Sequence, residues 1–351
     1  MFPRPAGSGA RWRWAAVAVA AVVSCLAGQP ATAQEPEITY WRIGTGAASG
    51  TYFPVGSLIA NAISNPPGSR PCEKGGGCGV PGLIAVAQST HGSVENVDSI
   101  GAGKLESGLS QADVAYWAYT GQWVYARKEP VTSLRAIANL YPESLHVVVR
   151  RDAGIKSIAD LRGKRVSLGE KESGTEVGAK VILGAYGLTE ADVEAYHLTP
   201  GQAADRLRDG GIEAFILVAG APVTAIADLA VAMAAEGGPG IDLVPIAGPA
   251  ANLIRENYAF FTRTRIPGGV YRGIGSTPTF SVGAQWVVSA DVDEELVYGI
   301  TRALWHETSR VLLDSGHPKG REIRLENALD GIAIPLHAGA QRYYREVGLI
   351  D

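Results

Sequence analysis

Three stretches put small and hydroxyl-bearing residues where a β-type run gives way to a helical pattern. They are Gly44-Thr45-Gly46-Ala47-Ala48-Ser49-Gly50-Thr51-Tyr52, Ser173-Gly174-Thr175-Glu176 and Gly220-Ala221-Pro222. The first N–H groups of a helix have no intrahelical acceptor, and a chain without bulky side chains lets an anion approach them. Thr51, Tyr52, Ser173 and Thr175 add hydroxyl donors beside those amides. Such a pattern suits capture of an anion, a carboxylate included. Each stretch also has a plainer description. The first is an ordinary strand-to-helix turn, and the second an N-cap with Glu176 in the first turn. In the third, Pro222 occupies a typical first helical position. Three such openings spread along the chain predict a polar cleft between two lobes.

Signals for bond-making chemistry are weak. Gly44 and Gly46 begin a dinucleotide fingerprint, but Ser49 stands where its third glycine belongs, so no nicotinamide or other cofactor is expected. The six histidines, His91, His146, His197, His306, His317 and His337, are scattered without metal-ligand spacing and read as surface or satisfied core residues. Arg150, at the end of a β-run, suits either bidentate carboxylate binding or a structural ion pair. No catalytic residue and no metal site is predicted.

The elements that would position these loops alternate strand and helix, which implies an α/β fold with mainly parallel sheets. Strands are predicted at Ile38–Ile43, Leu83–Gln88, Ala112–Tyr116, Leu145–Arg150, Val166–Leu168 and Ala214–Val218. Helices are predicted at Val55–Ile63, from Ser93 (as cap) to Gly101, at Glu176–Tyr186, at Ala203–Arg208 and around Val223–Leu229. Val147–Asp152 and Val287–Asp291 are β-runs that each end at an Asp before a helix. If both cross between lobes, residues 35–147 and 288–351 form one lobe and residues 148–287 the other. Discontinuous lobes on paired hinge strands suit closure around a ligand.

Residues 1–33 differ from the rest. They hold Arg4, Arg11 and Arg13, no acidic residue, an apolar run Ala15–Ala27 and then Ala31-Thr32-Ala33, the pattern of a cleaved export signal. Val22-Val23-Ser24-Cys25 offers a second pattern, that of a lipoprotein site. Cleavage before Gln34 lowers the 31 basic residues by three against 35 acidic ones, leaving a chain near −7. That charge, without a basic stripe, argues against nucleic acid. The hydrophobic share of 46% and the aperiodic placing of 44 glycines exclude disordered and collagen-like chains. Cys72 and Cys78 flank five residues in the Pro- and Gly-rich segment Asn65–Pro81, and an exported chain would oxidise them to a disulfide.

Eight strings taken together resemble one family. They are Gly44–Pro54 (GTGAASGTYFP), His91–Val97 (HGSVENV), Gln111–Tyr116 (QADVAY), Leu140–Arg150 (LYPESLHVVVR), Gly154–Arg165 (GIKSIADLRGKR), Ser173–Val177 (SGTEV), Ala219–Pro222 (AGAP) and Glu326–His337 (ENALDGIAIPLH). In order and over nearly the whole mature chain, they resemble the TAXI family, the solute-binding subunits of tripartite ATP-independent periplasmic (TRAP) transporters. The resemblance implies a periplasmic-binding-protein type II-like fold: two α/β lobes around a ligand cleft. It implies a monomer that captures a small carboxylate-bearing solute, an amino acid or organic acid, and delivers it to an ion-driven membrane permease.

Carried over by motif, the ligand-binding residues are Gly46, Thr51, Tyr52, Ser93, Asn96, Gln111, Tyr116, Ser173, Gly174, Thr175, Gly220 and Ala221. Ser173–Thr175 would hold the carboxylate, Tyr52 and Tyr116 would wall the pocket, and Asn96 and Gln111 would read polar groups. Two departures stand out: the long Asn65–Pro81 segment, and His91 where the family often has a small residue. An exported ligand sensor or an exported enzyme on the same fold are the alternatives.

Overall fold

The computed structural model describes residues 38–351. The export signal, its two cleavage patterns and Cys25 lie outside the described residues. The first part of the chain runs β1 (Thr39–Gly44), α1 (Tyr52–Ile63), β2 (Ser64–Asn65), β3 (Val80–Pro81), β4 (Leu83–Gln88), α2 (Ser93–Gly101), β5 (Ser107–Gln111) and α3 (Ala112–Thr120). A long strand, β6 (Leu134–Arg150), leads into β7 (Arg165–Ser167), α4 (Gly174–Ala185), β8 (Glu194–Tyr196), α5 (Pro200–Arg208), β9 (Ala214–Ala219) and α6 (Thr224–Ala235). Next come β10 (Ile241–Leu243), α7 (Pro249–Asn257), β11 (Thr262–Ile266) and a second long strand, β12 (Thr277–Ser289). Helices α8 (Glu294–Leu304), α9 (Glu307–Gly316) and α10 (Ala338–Glu346) complete the described chain.

One sheet, ordered β4-β1-β5-β12-β6-β9-β7-β8, carries this plan. At one side β1 pairs in parallel with β4 and β5, and at the other β7 pairs in parallel with β8 and β9. The antiparallel pair β6 and β12 joins them. Up to Ser144, β6 pairs with β12; from Ser144 to Val149 it pairs with β9. β12 pairs with β11 up to Ser281 and with β5 from Ala284. The change of partners falls near Ser144 and at Ser281–Ala284, a few residues before positions 147 and 288. The architecture is mixed α/β and type II-like, with two sheet halves sharing two continuous strands.

Burial explains the length of β6. Leu134, Ala136, Ile137, Ala138, Leu140, Tyr141, Leu145, Val147, Val148 and Val149 are all buried, because helices cover both faces along its length. Trp41, Ile43, Ile59, Trp286 and Tyr344 pack into one core on the β1 side. Phe215, Leu217, Ile226 and Tyr271 pack into another on the β9 side. Removing each large side chain from water contributes about 1.5–3 kcal/mol.

Three local expectations change. Ala112–Tyr116 is the start of α3, not a strand; the strand is the preceding Ser107–Gln111. Apolar residues at 112, 114, 115, 117 and 118 cover a helical face, and Gly121, left-handed at φ 68°, ends the helix. Ser93 is not the cap of α2; Gly92 takes that position, and Ser93 Oγ accepts from Gln111 N–H at 3.1 Å. Pro222 precedes the cap residue Val223 and so lies outside α6.

Candidate functional site

The parallel strands of both sheet halves point their C-terminal ends at one cavity, the usual place for a ligand in open α/β sheets. Its empty space is about 600 Å³ including the mouth. The first wall is made by the β1–α1 loop, the N-terminus of α2 and Gln111. The second is made by the β7–α4 loop, Pro200 and Ala203 of α5, and Phe215–Ala219 of β9.

Hydrogen bonds tie the walls together across the mouth. Thr51 Oγ1 donates to Gly220 O at 2.9 Å, and Gly201 N–H donates to Ser49 Oγ at 3.0 Å. Val94 and Glu95, in the first turn of α2, both donate N–H to Glu172 O at 3.1 Å. Glu172 holds φ at 62°, a left-handed conformation uncommon outside glycine. His91 Nδ1 lies 3.0 Å from Glu170 Oε1, and this hydrogen bond raises the His91 pKa above its ordinary value. Gly174 presses on the first wall so closely that a Cβ there would stand 2.5 Å from Gln111 Cδ and 2.6 Å from Ser93 Oγ. These bonds and this fit describe a closed cleft.

Of the twelve residues expected from sequence, Gly46, Thr51, Tyr52, Ser93, Gln111, Ser173, Gly174 and Thr175 are brought together on the cavity wall. Four are not. Asn96 lies beneath: its Nδ2 donates to Thr45 O at 2.7 Å and Leu109 O at 2.8 Å, and its Oδ1 accepts from Thr90 Oγ1. It fastens the loops after β1 and β4 to strand β5 instead of reading the solute. Tyr116 packs against Phe260, with ring centroids 5.0 Å apart and the rings tilted by 46°, away from the wall. Gly220 and Ala221 follow Ala219, the last wall residue of that segment.

The hydroxyls also differ from their expected roles. Ser173 Oγ accepts from Glu176 N–H at 3.0 Å and donates to Glu170 O, so it is the cap of α4. Thr175 Oγ1 accepts from Val218 N–H at 3.1 Å. What remains for an anion is the backbone. Gly174 and Thr175 open α4, and their N–H groups have no acceptor among the described residues.

Glu143 is the wall residue that sequence reading missed. It projects from the middle of β6 into the cavity with 2% of its surface exposed. Tyr52 OH donates to its Oε2 at 2.7 Å, its one hydrogen-bond partner among the described residues. Burial pushes its carboxyl up to about 8, with neighbouring Asp113 adding to the rise. Asp113 is fully buried, leaves Oδ2 unpartnered, and is pushed by burial up to about 7. The nearby cation, Lys319, is held by Glu322 at 2.9 Å. Burial, then the Glu143 carboxylate, drive the Tyr52 phenol well above its ordinary value, so it stays a donor. A lone acidic residue within Leu140–Val149 was the available signal.

Other sequence features lie elsewhere. Arg150 makes the structural ion pair, with Nε 3.0 Å and Nη2 2.9 Å from the two Asp152 oxygens. Cys72 and Cys78 are bonded, and His306 sits beside their sulfurs. His146 is a satisfied core histidine, between Ser144 O and Tyr271 OH, and burial lowers its pKa to about 4. His306, His317 and His337 each accept an N–H at a helix start. Among the described residues, no helix is long and apolar enough to cross a membrane.

Solved structures similar to the chain include the alkanesulfonate-binding protein SsuA from Xanthomonas axonopodis pv. citri bound to MOPS. It is 14% identical over 88% of this chain and 84% of its own, with a TM-score of 0.42. An ancestral arginine-binding protein bound to arginine is 14% identical over 79% of this chain and 97% of its own, TM-score 0.44. A periplasmic transporter structure is 14% identical over 88% and 93%, TM-score 0.48. The model of the NMT1-like family matches residues 43–348. With nearly every described residue inside that match, the chain belongs to the NMT1-like family.

Proposed function

We propose that the chain is an extracytoplasmic solute-binding protein that captures a small carboxylate-bearing solute by closing two lobes. Its finer assignment follows the motif resemblance: a periplasmic TAXI-type subunit that hands its solute to the membrane permease of a TRAP transporter. Residues 38–147 and 288–351 form one lobe and residues 148–287 the other, with β6 and β12 as the hinge. The observation that carries the reading is the narrow cavity roofed by cross-wall hydrogen bonds and floored by the free amides of Gly174 and Thr175.

Closure and capture are coupled by position. The β7–α4 segment holds Gly174 and Thr175 and also the groups that meet the first wall, Glu170 and Glu172. A carboxylate on the α4 amides gains from the positive end of that helix. Closing then removes water and strengthens those hydrogen bonds. Release needs only the reverse, because binding and closure make no covalent bond.

Differential scanning fluorimetry of the mature chain against organic acids, amino acids and 2-oxo acids tests the reading. A true solute at 100 times its Kd stabilises by about 2.7 kcal/mol. Failure of every carboxylate in the panel to raise Tm, in protein first unfolded and refolded to free its site, would count against it.

A further inference from the structure

Away from the cavity, two groups of metal-ligating side chains converge among the described residues. In one, Glu176, Glu190 and His197 meet, but cations already hold it: Lys171 and Lys180 bind Glu176, and Lys171 also binds Glu190. The other is Cys72, Cys78 and His306. Its two sulfurs and one imidazole nitrogen lie within 4.8 Å of one another, and all three residues are half-buried.

Each member sits on a fixed support. His306 is the N-cap of α9: its N–H donates to Ala303 O at 3.3 Å, and its Nδ1 accepts from Thr308 N–H at 3.2 Å. With Nδ1 engaged, Nε2 is the nitrogen left for a metal. A metal on Nε2 puts the ring proton on Nδ1, where Thr308 Oγ1, 3.1 Å away, accepts it. Thr308 is exposed, so its N–H then turns to water. Cys72 opens a single helical turn closed by Gly75 N–H to Cys72 O at 3.0 Å, and Gly76 N–H returns to Pro71 O. Two residues past Cys78, β3 pairs with β2. None of these bonds needs the disulfide, so reduction leaves the sulfurs near each other. The two Cα atoms stand 4.9 Å apart. That leaves room for the S···S separation of about 3.8 Å that Zn–S bonds of about 2.3 Å impose at a tetrahedral ion.

We propose that Cys72, Cys78 and His306 form a redox-gated site for a thiophilic d10 cation, with Zn2+ the fitting ion. The disulfide has no thiolate and is closed to metal. A dithiol opens it: two electrons and two protons pass to the sulfurs, and the dithiol itself becomes a disulfide. Zn2+ then displaces both thiol protons and takes the two sulfurs and His306 Nε2, with water in the fourth position. Two thiolates cancel the charge of the ion, so the half-buried site needs no further ion pair. The site lies off the cavity wall and stands whatever solute the cleft takes.

Untagged mature protein is compared as purified and after reduction with tris(2-carboxyethyl)phosphine in the absence of oxygen. Native mass spectrometry should find one Zn2+ on the reduced protein and none on the oxidised. Co2+ in its place should give thiolate-to-metal charge-transfer absorption and the visible bands of tetrahedral coordination. Competition with a chromophoric chelator gives the affinity, which should rise with pH as the thiols lose their protons. His306→Asn keeps an acceptor for the Thr308 N–H but has no imidazole. It should fold like wild type and, once reduced, bind Zn2+ at least about tenfold more weakly. Reduced protein without stoichiometric Zn2+, oxidised protein that binds it equally well, or His306→Asn with wild-type affinity overturns the proposal. If His306→Asn does not fold, the wild type in its two redox states and its Co2+ spectrum decide alone.

Discussion

Replacing Gly174 by Ala separates closure from folding. Gly174 is the first residue of α4, and its φ lies where any residue fits, so the added methyl does not strain the backbone. In the closed cleft that methyl would lie 2.5 Å from Gln111 Cδ. Carbon atoms settle at about 3.5–4.0 Å, so the walls must part by about 1 Å or Gln111 must move. Gln111 has little room, since it is 2% exposed and its N–H is fixed to Ser93 Oγ. Overpacking of this kind costs about 1–3 kcal/mol. In an open form the methyl meets no such neighbour, and Ala favours a helix over Gly. The free protein should therefore melt at the same temperature or higher, while Kd rises by about 5- to 150-fold. Titration calorimetry gives the second quantity and scanning fluorimetry the first. A variant with wild-type Kd would refute the closed-cleft geometry.

Thr51→Val removes the hydrogen bond to Gly220 O. It should weaken binding by about fivefold, the worth of about 1 kcal/mol, and a calorimetric Kd checks it. His91 is held by Glu170 with a raised pKa, so its aid to closure is complete below its ordinary 6.5 and fades as pH rises through the raised value. The affinity advantage of wild type over His91→Gln should accordingly be larger at pH 6 than at pH 8; an advantage independent of pH would dismiss the latch. The Cys72–Cys78 ring lies off the cavity wall. Serine at both positions should lower unfolding free energy by about 2 kcal/mol in urea melts and leave Kd within twofold.

The first two glycine-rich openings were legible because a helix start that must approach a partner leaves a run of small residues, and those two runs do line the cavity, whereas Gly220-Ala221-Pro222 falls just beyond its wall. Gly174 is the clearest case, since nothing larger fits against Gln111. The extent of β6 was not legible. Burial on both faces erases the alternation that marks a strand, so only Leu145–Arg150 stood out from its seventeen residues. Ala112–Tyr116 was too short for strand and helix periods to differ. Asn96 and Tyr116 were placed by motif, and spacing along the chain carries no information on which side of a loop a side chain falls. Glu143 escaped because its meaning is three-dimensional: a Glu within a long strand becomes a cavity residue only once Tyr52, Asp113 and the cavity are seen around it.

Closure on a small solute is most directly measured by small-angle X-ray scattering of the mature chain. It is recorded first free of solute, after unfolding and refolding, and then with the tightest compound of the panel at saturation. The solute should lower the radius of gyration and bring the scattering to the curve calculated from the closed structure. Saturating solute with an unchanged radius of gyration would contradict it.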